Sequence, residues 1–116
     1  MTDPIRRGAE CRVTTERQGA VVSLVPSGPF DLGHAPAIQR ELATAEEGLE
    51  FGVDAVLDLR DLDHVDGSGA VLLARLLDRI EDRGGHVRIE EGGRPNAARL
   101  VGLYRERRGR NFMAPS

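Results

Sequence analysis

The residues best suited to chemistry lie in one stretch, Asp63-His64-Val65-Asp66-Gly67-Ser68-Gly69. It offers two carboxylates, an imidazole and a hydroxyl, with glycine on either side of the serine. A β-rich run ends just before it and a strongly periodic run follows, so it joins a strand to a helix. In open α/β sheets the loop at a strand's C-terminal end is where function usually sits. The two glycines let the backbone turn tightly and leave Ser68 uncrowded. Asp66 is a good N-cap. Ser68 then falls in the first helical turn, where free N–H groups and the positive end of the dipole favour an anion. A phosphate on Ser68 would be tolerated there. The plain alternative is a capped helix start built from small residues.

Other chemistries fit poorly. A serine-hydrolase elbow needs glycine two residues before and two after the nucleophile, and those positions hold Asp66 and Ala70. Gly67-x-Gly69 has Leu72 where a dinucleotide fingerprint wants its third glycine. Asp58, Asp61, Asp63 and Asp66 match a calcium loop only in part, and a solvated acidic loop is the better reading. A receiver-type phosphoaspartate needs a partner lysine, and all 16 basic residues are arginine. That also excludes Schiff-base and P-loop lysine chemistry. His34, His64 and His86 share no i, i+4 spacing, so no metal site is expected. No catalytic residue and no cofactor are assigned.

Composition narrows the field further. A chain of 116 residues favours one domain. With 40% hydrophobic and 30% charged residues it reads as globular. Cys11 is the single cysteine, which excludes an internal disulfide framework. The longest small-and-apolar run, Gly69 to Ala74, is far short of the ~20 residues a membrane span needs. No secretory signal is read at the N-terminus, and a cytoplasmic location is expected. The net charge of −3 argues against nucleic acid as the partner. Aromatic residues are 3% of the chain, too few for a stacking platform.

The elements that must position the serine follow from periodicity. Residues 1–10 read as a flexible leader, 11–104 as the folded domain and 105–116 as a basic, frayed tail. In that tail Arg105, Arg107, Arg108 and Arg110 are most simply solvated, a membrane-surface or partner contact being the functional alternative. Cys11–Thr15 and Ala20–Val25 form a hairpin around Gln18-Gly19. Pro26, Gly28 and Pro29 then break regular structure. A helix follows, with Pro36 in its first turn and Ile38, Leu42, Ala45 and Leu49 inward. Val53–Leu59 is a central buried strand. The strongest helix runs from Gly67 to Arg83. Gly69, Leu72, Leu73, Leu76, Leu77 and Ile80 form its apolar stripe, with Arg75, Asp78, Arg79 and Asp82 opposite. A short strand, His86–Glu90, and a last helix, Pro95–Tyr104, complete the order β-β-α-β-α-β-α. That order predicts an α/β fold with a four- or five-stranded, mostly parallel mixed sheet and helices packed mainly on one face. Ser68, Val71, Leu72 and Arg75 share one helical edge, Leu72 turning under it and leaving Val71 and Arg75 near the surface.

The run from Ala55 to Gly69 resembles the signature of STAS domains: a hydrophobic strand ending in Asp, a short linker, then Asp-Ser-Ser-Gly or a variant opening a helix. The Gly84-Gly85 break before a short strand and final helix is similar, as is the hairpin leading to Gly28-Pro29-Phe30-Asp31. The resemblance implies a STAS-like fold and a non-enzymatic protein-binding module of the anti-sigma factor antagonist type. Its partner would be an anti-sigma factor with serine kinase activity. Ser68, in the second serine position, would be the phosphoacceptor, and Gly67 stands where the pattern has its first serine. Asp66 matches the motif's acid and Asp31 the acidic residue before the first helix. Partner contacts are accordingly expected at Asp31, Asp66, Gly67, Ser68, Gly69, Val71 and Arg75. The run Gly69–Leu77 is also similar to a transporter branch, a STAS subunit or soluble domain of a lipid-transport ABC system with permease and ATPase partners.

Overall fold

The computed structural model describes residues 10–113, with side chains to Arg105. Residues 1–9 of the expected leader lie outside the described residues, as do the side chains of Arg107, Arg108 and Arg110.

The apolar alternation after Cys11 forms a hairpin, β1 (Arg12–Gln18) antiparallel to β2 (Val21–Phe30). β2 does not stop at Pro26 as the sequence suggested. Pro26 faces Val13, whose own N–H turns away to the Glu41 carboxylate at 3.0 Å, so β1 asks no hydrogen bond of the proline. On its other edge β2 pairs first with β3 (Asp54–Asp58), through Leu24 and Leu57. It pairs next with β4 (Leu62–Val65), from Gly28 onward. Pro26 occupies the gap between these two ladders, where its missing N–H is not needed. Gly28, at φ +82°, takes up the register shift before Pro29.

β5 (Val87–Glu90) pairs parallel with β3. Among the described residues the sheet therefore has five strands in mixed arrangement, with only the β1–β2 hairpin antiparallel. β4 is an element the sequence reading assigned to a loop. It is four residues long, with exposed Asp63 and His64 between a buried Leu62 and a half-buried Val65, and exists because β2 runs far enough to offer it an edge.

Three helices follow the expected order: α1 (Ala35–Glu47, after a 3₁₀ turn at Leu32–His34), α2 (Gly67–Asp82) and α3 (Pro95–Met113). Val22 and Leu24 of β2, Ala55 and Leu57 of β3, and Val87 and Ile89 of β5 align across one sheet face. Ile38 and Leu42 of α1, Leu73, Leu76 and Leu77 of α2, and Val101 of α3 close the core on that face. The opposite face carries exposed Thr14, Glu16, Arg88 and Glu90.

Two expectations about the helices are corrected. Asp78, placed on the outer side of α2, is buried at 9% exposure. α2 packs between α1 and α3, so more than one stripe of it is covered. Asp78 meets the Arg105 guanidinium of α3 at 3.2 Å, which supplies the charge and hydrogen bond a buried carboxylate requires. The last helix also continues past Tyr104, where the sequence reading ended it, to Met113. Arginine is a good helix former, and Arg105 is anchored by both Asp78 and Glu81 of α2.

Candidate functional site

β4 fixes where α2 begins. Val65 pairs with Phe30, and the next amide, Asp66 N–H, donates to the Phe30 carbonyl at 3.2 Å. Asp66 is extended (φ −108°, ψ −175°) and caps α2, its Oδ1 accepting from Gly69 N–H at 3.0 Å. Its Oδ2 accepts from Leu32 N–H at 3.0 Å. One carboxylate thus ties the helix start to the 3₁₀ turn. Gly69 is needed for this approach: a Cβ there would lie 2.0 Å from the Phe30 carbonyl oxygen.

Asp31 is gripped in the same way from two sides. His34 Nδ1–H donates to its Oδ1 at 2.6 Å and His64 Nε2–H to its Oδ2 at 2.7 Å. The histidines, 33 and three residues from Asp31 in sequence, are united by β4 and the 3₁₀ turn. Spacing alone concealed this. Among the described residues no group of three or more His, Cys, Asp or Glu side chains is placed to hold a metal ion.

Both carboxyls are held below their ordinary pKa. For Asp31 the causes are the hydrogen bonds from His34 and then His64. For Asp66 the chief cause is the Gly69 amide, joined by those of Leu32 and Ser68 and opposed by burial and the Asp31 charge. A depressed folded-state pKa means that the unfolded chain binds the proton more tightly, so protonation favours unfolding. The stabilisation is full above the ordinary carboxylate value of about 3.9 and is lost as pH falls through the lower folded value. Asp66→Asn keeps a competent cap but removes this linkage. Its stability should fall less steeply than the parent's below about pH 4, measured as urea midpoint against pH. Parallel profiles would remove Asp66 from the acid response.

Around the cap lies an open depression lined by Leu32, Asp66, Gly67, Ser68, Val71 and Tyr104. Ser68 and Val71 are half-buried there, and Arg75, one turn further along α2, is exposed. Leu72 packs against the core. Of the residues singled out in the sequence, Asp66, Gly67, Ser68 and Val71 meet in one place. Gly69 faces inward, and Asp31 spends both oxygens on the histidines. Two lining residues escaped the sequence reading. Leu32, 68% exposed, carried no periodic signal. Tyr104, half-buried and packed against the core, reaches across from α3 to line the depression.

The fold and site together describe a small α/β domain that presents a serine hydroxyl at a capped helix start within an apolar rim. The STAS domain model matches residues 12–101, and the chain belongs to the STAS domain family. No curated protein matches it. Among solved structures, an anti-sigma factor antagonist from Mycobacterium paratuberculosis is similar at TM-score 0.59 and 19% identity, covering 89% of this chain and 84% of that one. The structure of Mglu is similar at TM-score 0.54 and 30% identity over 70% of this chain, but the match spans 20% of the Mglu chain. The murine Solute Carrier 26 family member A9 anion transporter is similar at TM-score 0.57 and 15% identity, over 73% of this chain and 17% of that chain. The likenesses to the antagonist and the transporter are of fold. Among the described residues no helix is long and apolar enough to cross a membrane.

Proposed function

We propose that the chain is a non-enzymatic, cytoplasmic binding module of the anti-sigma factor antagonist type, which docks on an anti-sigma factor with serine kinase activity. The observation that carries this reading is the setting of Ser68. It is half-buried, in the first turn of α2, in an open depression that also exposes Leu32 and Val71. The depression offers Leu32 and Val71 as apolar contacts for a protein surface, with the Ser68 hydroxyl between them and Asp66 and Tyr104 beside it. The antagonist of similar fold also matches over most of both chains.

The kinase partner transfers the γ-phosphoryl group of ATP to Ser68 Oγ; the hydroxyl loses its proton and ADP leaves. The phosphate brings about −1.5 to −2 charges to the rim. The α2 dipole compensates only ~0.3–1 kcal/mol of that within the domain, so the fold survives while an apolar contact over Leu32 and Val71 is lost. Arg75 is positioned to pair with a partner carboxylate.

The test is incubation with ATP and the anti-sigma serine kinase encoded nearest to this chain in its own genome, followed by mass spectrometry. The expected result is one phosphate, on Ser68, absent from Ser68→Ala. A phosphate elsewhere, or none despite a stable complex, overturns the switch. The Solute Carrier 26 likeness favours a second reading, a regulatory STAS component of a transporter. Co-purification with an ABC permease and ATPase, and not with a kinase, would establish it.

A further inference from the structure

Gly67 opens α2, a position where glycine is not an obvious choice. Within a helix it is about 1 kcal/mol less favourable than alanine. Its φ is not in the left-handed region, where glycine is favoured. What keeps a side chain out is a single atom. A Cβ at position 67 would lie 2.8 Å from the Tyr104 hydroxyl oxygen, while the nearest ring carbon, Cζ, would be an ordinary 3.9 Å away. Apart from its chain neighbours and its own turn of helix, nothing else comes within 4 Å. The glycine makes room for the tip of a tyrosine that reaches over from another helix into the depression holding Ser68.

We propose that Tyr104 is a specificity-determining residue of the Ser68 switch, its phenol seated over Gly67 as part of the surface that the kinase partner reads. This rests on the functional reading above. The ring lines the depression with Leu32 and Val71, and a phenol hydroxyl is donor and acceptor at once, so it adds a polar handle beside those apolar contacts. Tyrosine at such a rim offers a large, half-polar contact area at low cost in side-chain freedom. Gly67 and Tyr104 act as a matched pair: any side chain at 67 displaces the phenol.

Three variants separate this from a packing role. Gly67→Ala retains the fold, because alanine is the better helix former and only the end of one side chain must move. It should shift the fluorescence of the free protein, which has one tyrosine and no tryptophan, so the signal comes from Tyr104 alone. With the nearest anti-sigma serine kinase, Gly67→Ala should raise KM for phosphorylation at least fivefold with kcat within twofold. Tyr104→Phe should do the same by removing the hydroxyl. The double variant should be no worse than Tyr104→Phe alone, because a phenyl ring leaves room for the Cβ. If both single variants keep KM within twofold of the parent, or if their penalties multiply in the double, the proposal is overturned and the functional reading stands. If the parent itself is neither bound nor phosphorylated, it is the functional reading that fails.

Discussion

Ser68→Asp should bind the anti-sigma serine kinase at least tenfold more weakly than the parent, about 1.4 kcal/mol, with an unchanged circular dichroism spectrum and melting temperature. The two halves of this result have separate causes. Binding suffers because a carboxylate beside Leu32 and Val71 must be stripped of water when the partner covers them, and the apolar rim offers it no counter-charge. Folding does not suffer, because an acid in the first turn of a helix is favoured by the dipole and by free N–H groups. Arg75 is exposed about two turns further along α2, and repulsion within the domain from Asp66 is limited because that carboxylate is engaged by two amides. Ser68→Ala removes only a hydroxyl and should bind as the parent does. Titration calorimetry of the three proteins reads this directly. Equal affinity for Ser68→Asp and the parent would reduce Ser68 to a helix-start residue.

The parts of the site that the sequence announced are those fixed by local chemistry. Asp66 as cap, glycine on either side of Ser68 and the periodic stripe behind it all depend on neighbours within a turn or two. The parts it concealed depend on contacts between distant segments. β4 has no apolar alternation of its own and forms only because β2 continues through Pro26 and Pro29. The expectation that prolines end the strand applied a sound local rule, but a proline at the point where a strand changes partners breaks no ladder. The convergence of His34 and His64 on Asp31 has no local signal, because β4 is what carries His64 there. Leu32 and Tyr104 escaped for a related reason. An exposed leucine in a turn has no period, and a tyrosine on an apolar stripe reads as core until the neighbouring helix places a glycine under its hydroxyl.

Asp78 shows the limit of periodicity from the other side. A helix stripe records one buried face, whereas α2 is covered by the sheet and by helices on both flanks. The charged residue that periodicity placed in solvent is paired inside with Arg105, which arrives from α3. The same extension corrects both residues: Arg105 belongs to the final helix, which runs about two and a half turns past Tyr104, to Met113.

Leu76→Ala should destabilise the domain by ~2–5 kcal/mol, the range for emptying a leucine-sized space in a packed core. Leu76 lies mid-way along α2 at 0% exposure and belongs to the cluster that joins α2 to the sheet. The site above it depends on that seating. The cap holds α2 to Leu32 and Phe30 through single hydrogen bonds, each worth about 1 kcal/mol net, whereas the stripe holds the whole helix. A domain of this size has a total stability of roughly 5–15 kcal/mol, and each kcal/mol corresponds to about 4–8 °C in melting temperature. The variant should therefore melt at least roughly 8 °C below the parent. Kinase affinity, measured well below that melting point, should stay within about twofold of the parent, because Leu76 contributes nothing to the rim and the remaining folded molecules present Ser68 as before. The opposite pattern to Ser68→Asp is thus expected from a residue two turns along the same helix. A melting temperature unchanged within error would mean that α2 presents a different face to the sheet. A tenfold loss of affinity in a fully folded Leu76→Ala would mean that the docking surface extends through the helix rather than along its edge.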